Sequence, residues 1–255
     1  MELDFIILAG GRGERMKSYT TRHKTLLEVN GISLLANHLL NGSDYLKDYL
    51  KEIYVVVECG REELEEEIDR IKNKLCFNVK TVEGDREGSK YGRSLYNALK
   101  LVKSNFVAYV MGDHWIDYED LSREYPIDKI KNMIKRYDLL LFSDPDPRIA
   151  NPSSQYLLYY DKKRRKVLDC GKKIEKYSHV DMGFFVGNKV KLTEVIKRYN
   201  LLEKDFDTSD FIRGLGKRFG IVEIKNVKWF GCNTPQDYLW GLYFLKSVEK
   251  SKVRL

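Results

Sequence analysis

Phe5-Ile6-Ile7-Leu8-Ala9-Gly10-Gly11-Arg12-Gly13-Glu14-Arg15-Met16 is an apolar run that breaks into a glycine-rich, cationic turn, and Lys24 lies nine residues past Arg15. The apolar part reads as a buried strand, Asp4–Ala9. Glycines let the backbone turn tightly and bring bare N–H groups close to a ligand, which suits phosphates and a nucleotide base. Neither G-x-G-x-x-G nor G-x-x-x-x-G-K-[ST] is present, so the dinucleotide fingerprint and the Walker loop are both excluded. What remains is a strand-end site for a nucleoside triphosphate near the N-terminus.

Outward from this turn, the chain continues the same alternation. Helical spacing at Ser33–Leu40 precedes the strand Glu52–Glu58, built on Ile-Tyr-Val-Val-Val. An amphipathic helix, Glu62–Leu75, leads to a strand at Phe77–Val82. A helix at Ser94–Val102 leads to a strand at Asn105–Met111, which ends at Gly112-Asp113. Strands alternating with helices through short connections predict an α/β fold with a doubly wound, mixed and mostly parallel sheet. Ligands of such sheets sit outside the carboxyl ends of the strands, so the glycine turn and Asp113 should face one crevice.

The second half reads as strand Asp138–Phe142, a loop Ser143–Ser154 with three of the five prolines, and a hairpin of Tyr156–Tyr160 with Val167–Cys170. Then come a short strand Gly183–Val186, helices Lys191–Tyr199 and Ser209–Arg218, and a strand Gly220–Ile224. Thr234-Pro235-Gln236-Asp237 opens the last helix with Thr234 as N-cap and Asp237 as box partner. With no composition break or repeat, one domain is expected. Residues 1–137 form its nucleotide-binding half, and 138–255 its acceptor-binding half and C-terminal helix.

Composition excludes several classes. A length of 255 residues gives ample core. No apolar run reaches membrane-spanning length and no leader pattern is seen, so a cytoplasmic protein is expected. Cys59, Cys76, Cys170 and Cys232 form no metal-like pairs. The net charge of +7 comes from 45 basic against 38 acidic residues. Its one dense run, Lys162–Lys166, reads as a solvated hairpin turn, so no nucleic-acid partner is expected. Only two glutamines among many charged residues resembles a heat-adapted composition.

These parts resemble the sugar-phosphate nucleotidyltransferases, whose fold is a Rossmann-like three-layer, glycosyltransferase-A-like domain. Within that group, the chain from residue 4 to about 240 is similar to CTP:inositol-1-phosphate cytidylyltransferases. His23-Lys24-Thr25-Leu26-Leu27 resembles the family's Pro-Lys-Ala-Leu segment. Gly88–Leu95 resembles its loop ending in Ser-Leu, and Met111-Gly112-Asp113-His114 its Met-Gly-Asp-His. Asp169–Lys172 and Val180–Phe185 resemble its Asp-Ile-Gly-Lys and Asp-Thr-Gly-Phe-Phe pair.

The resemblance implies transfer of CMP from CTP, or of a nucleotide from another NTP, to a polyol or sugar phosphate, with pyrophosphate released. The acceptor phosphate is already an anion, so the protein's task is positioning and charge neutralisation. Catalytic roles then fall to Arg15, Lys24, Asp113 and Lys172. Leu8, Ala9, Gly10, Gly11, Gly13, Gly84, Ser94 and Gly112 would line the nucleotide, with Ser94 and the Gly84–Gly92 loop reading the pyrimidine. Lys172 and Asp181 would meet the acceptor, and Asp113 with Asn233 would hold Mg²⁺. Plainer readings stand beside these. Asp113 could cap a helix, Lys172 and Lys173 could be surface lysines, and Asp181 could cap a turn. His114 could be structural, and the Tyr156–Tyr160 aromatics could be sheet packing.

One part of the pattern is broken. Where the family carries Trp-x-Asp-x-Asp-Thr, this chain reads Trp229-Phe230-Gly231-Cys232-Asn233-Thr234, without either carboxylate. Three outcomes are open. Asp113, the triphosphate and Asn233 hold the metal; or Asp181 or Asp117 substitutes; or the chain is a nucleotide-binding pseudoenzyme. Related chains are fused to a membrane domain, so with no hydrophobic segment up to Leu255 the resemblance implies a separate membrane synthase downstream.

Overall fold

The computed structural model describes residues 1–85, 91–146, 154–198 and 207–252. The chain opens with β1 (Leu3–Leu8), the small hairpin β2 (Glu28–Val29) and β3 (Ile32–Ser33), and two short helices, α1 (Leu34–Asn37) and α2 (Ser43–Leu46), joined by a π turn. It continues through β4 (Leu50–Val57), α3 (Arg61–Ile71), β5 (Asn78–Glu83), α4 (Tyr91–Leu101) and β6 (Phe106–Met111). After β7 (His114–Ile116), α5 (Tyr118–Glu124) and α6 (Ile127–Met133), the second half carries β8 (Leu139–Asp144), β9 (Leu157–Asp161), β10 (Lys166–Gly171) and β11 (His179–Asn188). The last elements are α7 (Lys189–Arg198), α8 (Thr208–Leu215), β12 (Phe219–Glu223), β13 (Trp229–Gly231) and α9 (Pro235–Lys252).

Among the described residues the main sheet has nine strands, ordered β10-β9-β11-β6-β1-β4-β5, with β8 joining β11 to β12. The strands β6, β1, β4 and β5 are parallel, as are β8 and β12, while β11 runs against β6, β8 and β9. Each of the central strands is apolar on both faces because helices cover both. One face packs Leu35, Leu64, Ile68, Leu121 and Ile130 on the sheet; the other packs Leu95, Leu99, Leu192, Ile196 and Phe211. This is the three-layer α/β/α arrangement the sequence predicts.

Four details differ from the sequence reading. The strand at Gly183–Val186 is ten residues long, since Asp181 and Met182 are buried in it too. Ser143 and Asp144 close β8 rather than opening a loop; residues 147–153 of that loop, Tyr199, and 86–90 of the base-reading loop lie outside the described residues. β7, α5 and α6 had no counterpart in the reading. A third apolar cluster was also missed: Met16, Leu27 and Leu34 pack with Phe230, Cys232, Tyr238 and Leu245. It ties the segment after the glycine turn to β13 and α9. The basic run is a hairpin turn, with β9 and β10 antiparallel on either side. The final helix starts as its residues demand, Thr234 and Asp237 each bonding the other's backbone N–H.

Candidate active site at the carboxyl ends of the central strands

Parallel register brings four strand ends to one edge. Leu8 of β1 pairs with Val56 of β4 and Met111 of β6, and Val57 of β4 pairs with Glu83 of β5. The next residues, Ala9-Gly10, Glu58, Gly84 and Gly112, therefore emerge side by side. Gly112 is needed there for a backbone reason. Its N–H donates to Leu8 O at 3.0 Å, and a Cβ would lie 2.9 Å from that oxygen. That close approach sets the glycine turn against Asp113.

Lys24 completes the junction. It opens the short turn Lys24–Leu26, which His23 caps through Nδ1. Its stem passes under the glycine turn, with Cε 3.1 Å from where a Gly11 Cβ would sit, and its ammonium forms an ion pair with Asp113. Burial works to raise the Asp113 carboxyl, but the Lys24 and His114 charges outweigh it and hold it well below the usual carboxylate range. Asp113 sits in the turn between β6 and β7 and caps no helix. Of the two predicted cations, Lys24 is the one in contact with it; Arg15 stands exposed on the turn Glu14–Met16. Arg12 lines the adjoining cleft of about 450 Å³ with Gly13, Thr20, Lys24 and Gly60. A hollow of about 530 Å³ by α2 and α5 is lined by Asp44, Asp48, Asp117, Glu119 and Asp128, the wrong sign for a triphosphate.

The C-terminal part of the predicted site does arrive here. β13 pairs with β7 so that Gly231 faces His114, and Cys232 N–H donates to Asp113 O at 2.8 Å. Asn233 follows directly, half-buried. The place of the first missing carboxylate is closed, however. A Cβ on Gly231 would lie 2.7 Å from Gln155 Nε2 and 2.8 Å from His114 Nε2. His114 is buried, its Nδ1 donating to Met182 O at 2.7 Å, which leaves Nε2 facing Asp113 Oδ1 at 4.0 Å. Both proposed substitutes are engaged with other partners. Asp117 caps α5 and pairs with Lys228, and Asp181 accepts from Gly183 N–H at 2.6 Å and from the Thr208 hydroxyl. Burial pushes Asp181 up to about 7. Of its two sequence readings, the local turn contact is the one present.

Lys172 is exposed just past β10. Gly171 pairs with Leu157, which pairs with Val180, so Lys172 is level with the start of β11 and faces the same edge as Asp113. Ser94, buried on α4, bonds Asp85 N–H and Glu58 rather than an open space. Sequence reasoning missed Glu58 and Gln155. The first had a visible signal, a carboxylate ending an apolar parallel strand. The second had none, because only the fold brings Gln155 to Gly231.

Comparison with known proteins agrees with the fold. Residues 5–123 match the family model described as MobA-like NTP transferase domain. The chain is 28% identical over 235 residues to the bifunctional IPC transferase and DIPP synthase of Aquifex aeolicus, covering 91% of this chain and 49% of that protein. It thus spans about half the length of the curated relative it matches. Among solved structures, the T. maritima inositol-1-phosphate CTP transferase superposes with a TM-score of 0.75 at 19% identity, over 94% of each chain. A Bacillus anthracis putative glucose-1-phosphate thymidylyltransferase gives 0.72 at 16% identity, over 95% of this chain and 94% of that one. No helix among the described residues is long and apolar enough to cross a membrane. Just under half of the chain, residues 5–123, is thus similar to MobA-like NTP transferase domains, and the whole chain shares the fold of solved nucleotidyltransferases.

Proposed function

We propose that the protein transfers CMP from CTP to inositol 1-phosphate, giving CDP-inositol and pyrophosphate. The observation that carries this reading is the contact of Lys24 with Asp113, where the glycine turn meets the end of β6. The similarity to a protein named as an IPC transferase, over 91% of this chain, supports the choice of substrates. Residues 1–137 act as the nucleotide half and 138–255 as the acceptor half.

The chemistry needs no nucleophilic side chain. Ala9 N–H donates to Val56 O at 2.9 Å, so backbone N–H groups at Gly10–Gly13, with Lys24 and Arg15, hold the triphosphate and screen its charge. Lys172, extended from the β10 edge, meets the acceptor phosphate. Asp181 fixes Gly183, and through it the His114 ring, so its part is positioning. Mg²⁺ is held through one or two carboxylates with substrate phosphates, and Asp113 with the neutral Asn233 suits an ion that arrives on the triphosphate. When bound, Mg²⁺ neutralises charge building on the phosphates. No group of three His, Cys, Asp or Glu among the described residues could hold a metal by itself.

A second reading rests on the closed position at Gly231: a nucleotide-binding protein without turnover. Incubation with Mg²⁺, each NTP, and a panel of inositol and hexose phosphates separates them. Pyrophosphate with CTP and inositol 1-phosphate is expected. CTP binding without pyrophosphate from any pair would establish the second reading, and release with a hexose 1-phosphate would change the acceptor.

A further inference from the structure

We infer that Glu58 selects the nucleobase: its second carboxylate oxygen, Oε2, accepts a hydrogen bond from the exocyclic amine of cytosine and repels the carbonyl of uracil at the same place. The inference rests on the CTP reading above and adds a residue and a basis for choice. Glu58 follows β4, between the ends of β1 and β5, and glycines on both sides make room for it. A Cβ on Gly10 would lie 2.6 Å from Glu58 Cδ, and one on Gly84 would lie 2.3 Å from Glu58 Cγ. The side chain therefore fills the gap between the two strand ends, where the nucleotide turn and the base-side loop begin.

Its hydrogen bonding is half complete. Ser94 Oγ donates to Oε1 while accepting from Asp85 N–H at 3.1 Å, so Ser94 is taken. Oε2 is buried and has no hydrogen-bond partner among the described residues. An acceptor left so carries a desolvation cost, and a bound ligand's donor removes it. Burial raises the Glu58 carboxyl and Asp85 adds to this, while Ser94, Arg12 and Lys24 favour the charged form.

Position argues for the base as the donor. Lys24 and Asp113 mark the phosphate end at β1 and β6, and β4 and β5 lie on the other side of β1. Adjacent strands are about 4.8 Å apart, so Glu58 stands roughly 10 Å from the β6 end, the reach from phosphates to base in one nucleotide. At that place cytosine offers an N–H donor and uracil an acceptor. A site built around one hydrogen bond rejects the analogue that lacks it.

The test is equilibrium binding of CTP, UTP and N4,N4-dimethyl-CTP, with Mg²⁺, to the full chain and to Glu58→Gln. Wild type should bind CTP at least about tenfold tighter than UTP, and dimethyl-CTP no tighter than UTP. Glu58→Gln, which can present either an N–H or an oxygen, should bring CTP and UTP within about threefold of each other. An unchanged CTP preference in Glu58→Gln, or dimethyl-CTP binding like CTP, would overturn the role of Glu58 and leave the CTP reading standing. Wild type that binds neither nucleotide would overturn both. The dimethyl analogue decides the matter even where the variant does not fold.

Discussion

The two ends of the central sheet use buried carboxylates in opposite ways. At the amino end, Asp4 on β1 is fully buried and accepts from Glu52 N–H, Lys103 N–H, Ser104 N–H and the Ser104 hydroxyl, all within 2.9–3.2 Å. At the carboxyl end, Asp113 has the Lys24 ammonium as its one short side-chain contact among the described residues, with His114 Nε2 4.0 Å away, and Glu58 keeps an oxygen without a partner among those residues. Four donors, three of them rigid backbone, make a carboxylate a structural clasp. A single movable ammonium makes one that can exchange partners, and that difference separates scaffold from site.

Substitution at both ends breaks the comparison most directly. Asp113→Asn should lower the rate of pyrophosphate release by at least about a thousandfold with little change in melting temperature. Asp4→Asn should do the reverse, costing about 2–3 kcal/mol in urea unfolding while kcat/KM stays near wild type. An active Asp113→Asn would put the phosphate-holding group elsewhere. Next in size is Gly183→Ala. Gly183 has φ +75°, and a Cβ there would lie 2.5 Å from His114 Nδ1, which is held by Met182 O. Strain and displacement of the ring should together cost about 2–4 kcal/mol, read as a fall in melting temperature, with a loss of rate as β7 shifts.

Most of the scaffold was legible from the chain because its central strands are continuous apolar runs that parallel pairing requires, and the glycine turn and Gly112-Asp113 fall at their ends. The parts that were not legible depend on contacts between distant residues. β7 and β13 are three-residue strands too short for a periodic signal, and their pairing brings Gly231 to His114. Asp117 and Asp181 looked available as metal ligands because a sequence shows a carboxylate but not its donors. Lys228 and the helix amide at Asp120 take the first, and Gly183 and Thr208 take the second.

The missing acids can sharpen the comparison further, because only one of the two positions has room. Asn233→Asp should tighten Mg²⁺ binding in the presence of CTP by about tenfold, since a carboxylate replaces a neutral amide on the residue after Cys232, whose N–H donates to Asp113 O. Adding Gly231→Asp should give no further gain and should lower the melting temperature, because the new Cβ meets Gln155 and the His114 ring. Titration of Mg²⁺ against CTP binding reads both. A second tenfold step from the double variant would mean that Gln155 yields easily and that the position is vacant rather than closed.

The smallest effect expected is on stability against pH, and it tests whether Asp181 belongs with Asp4 or with Asp113. It accepts only one short bond, from Gly183 N–H, and burial pushes its carboxyl up from 3.8 to about 7. Below about pH 4 the folded and unfolded chains both hold its proton, so it adds no pH dependence. Between about 4 and 7 the folded chain keeps a proton that the unfolded chain has released, and stability from this group falls as pH rises. Above 7 the charge is buried in full and the loss is complete. Asp181→Asn keeps an oxygen for Gly183 and gains an N–H for the Thr208 hydroxyl. It should therefore melt with wild type at pH 4 and about 5 °C above it at pH 8. A difference that does not vary with pH would show Asp181 ionised throughout, with donors as complete as those of Asp4.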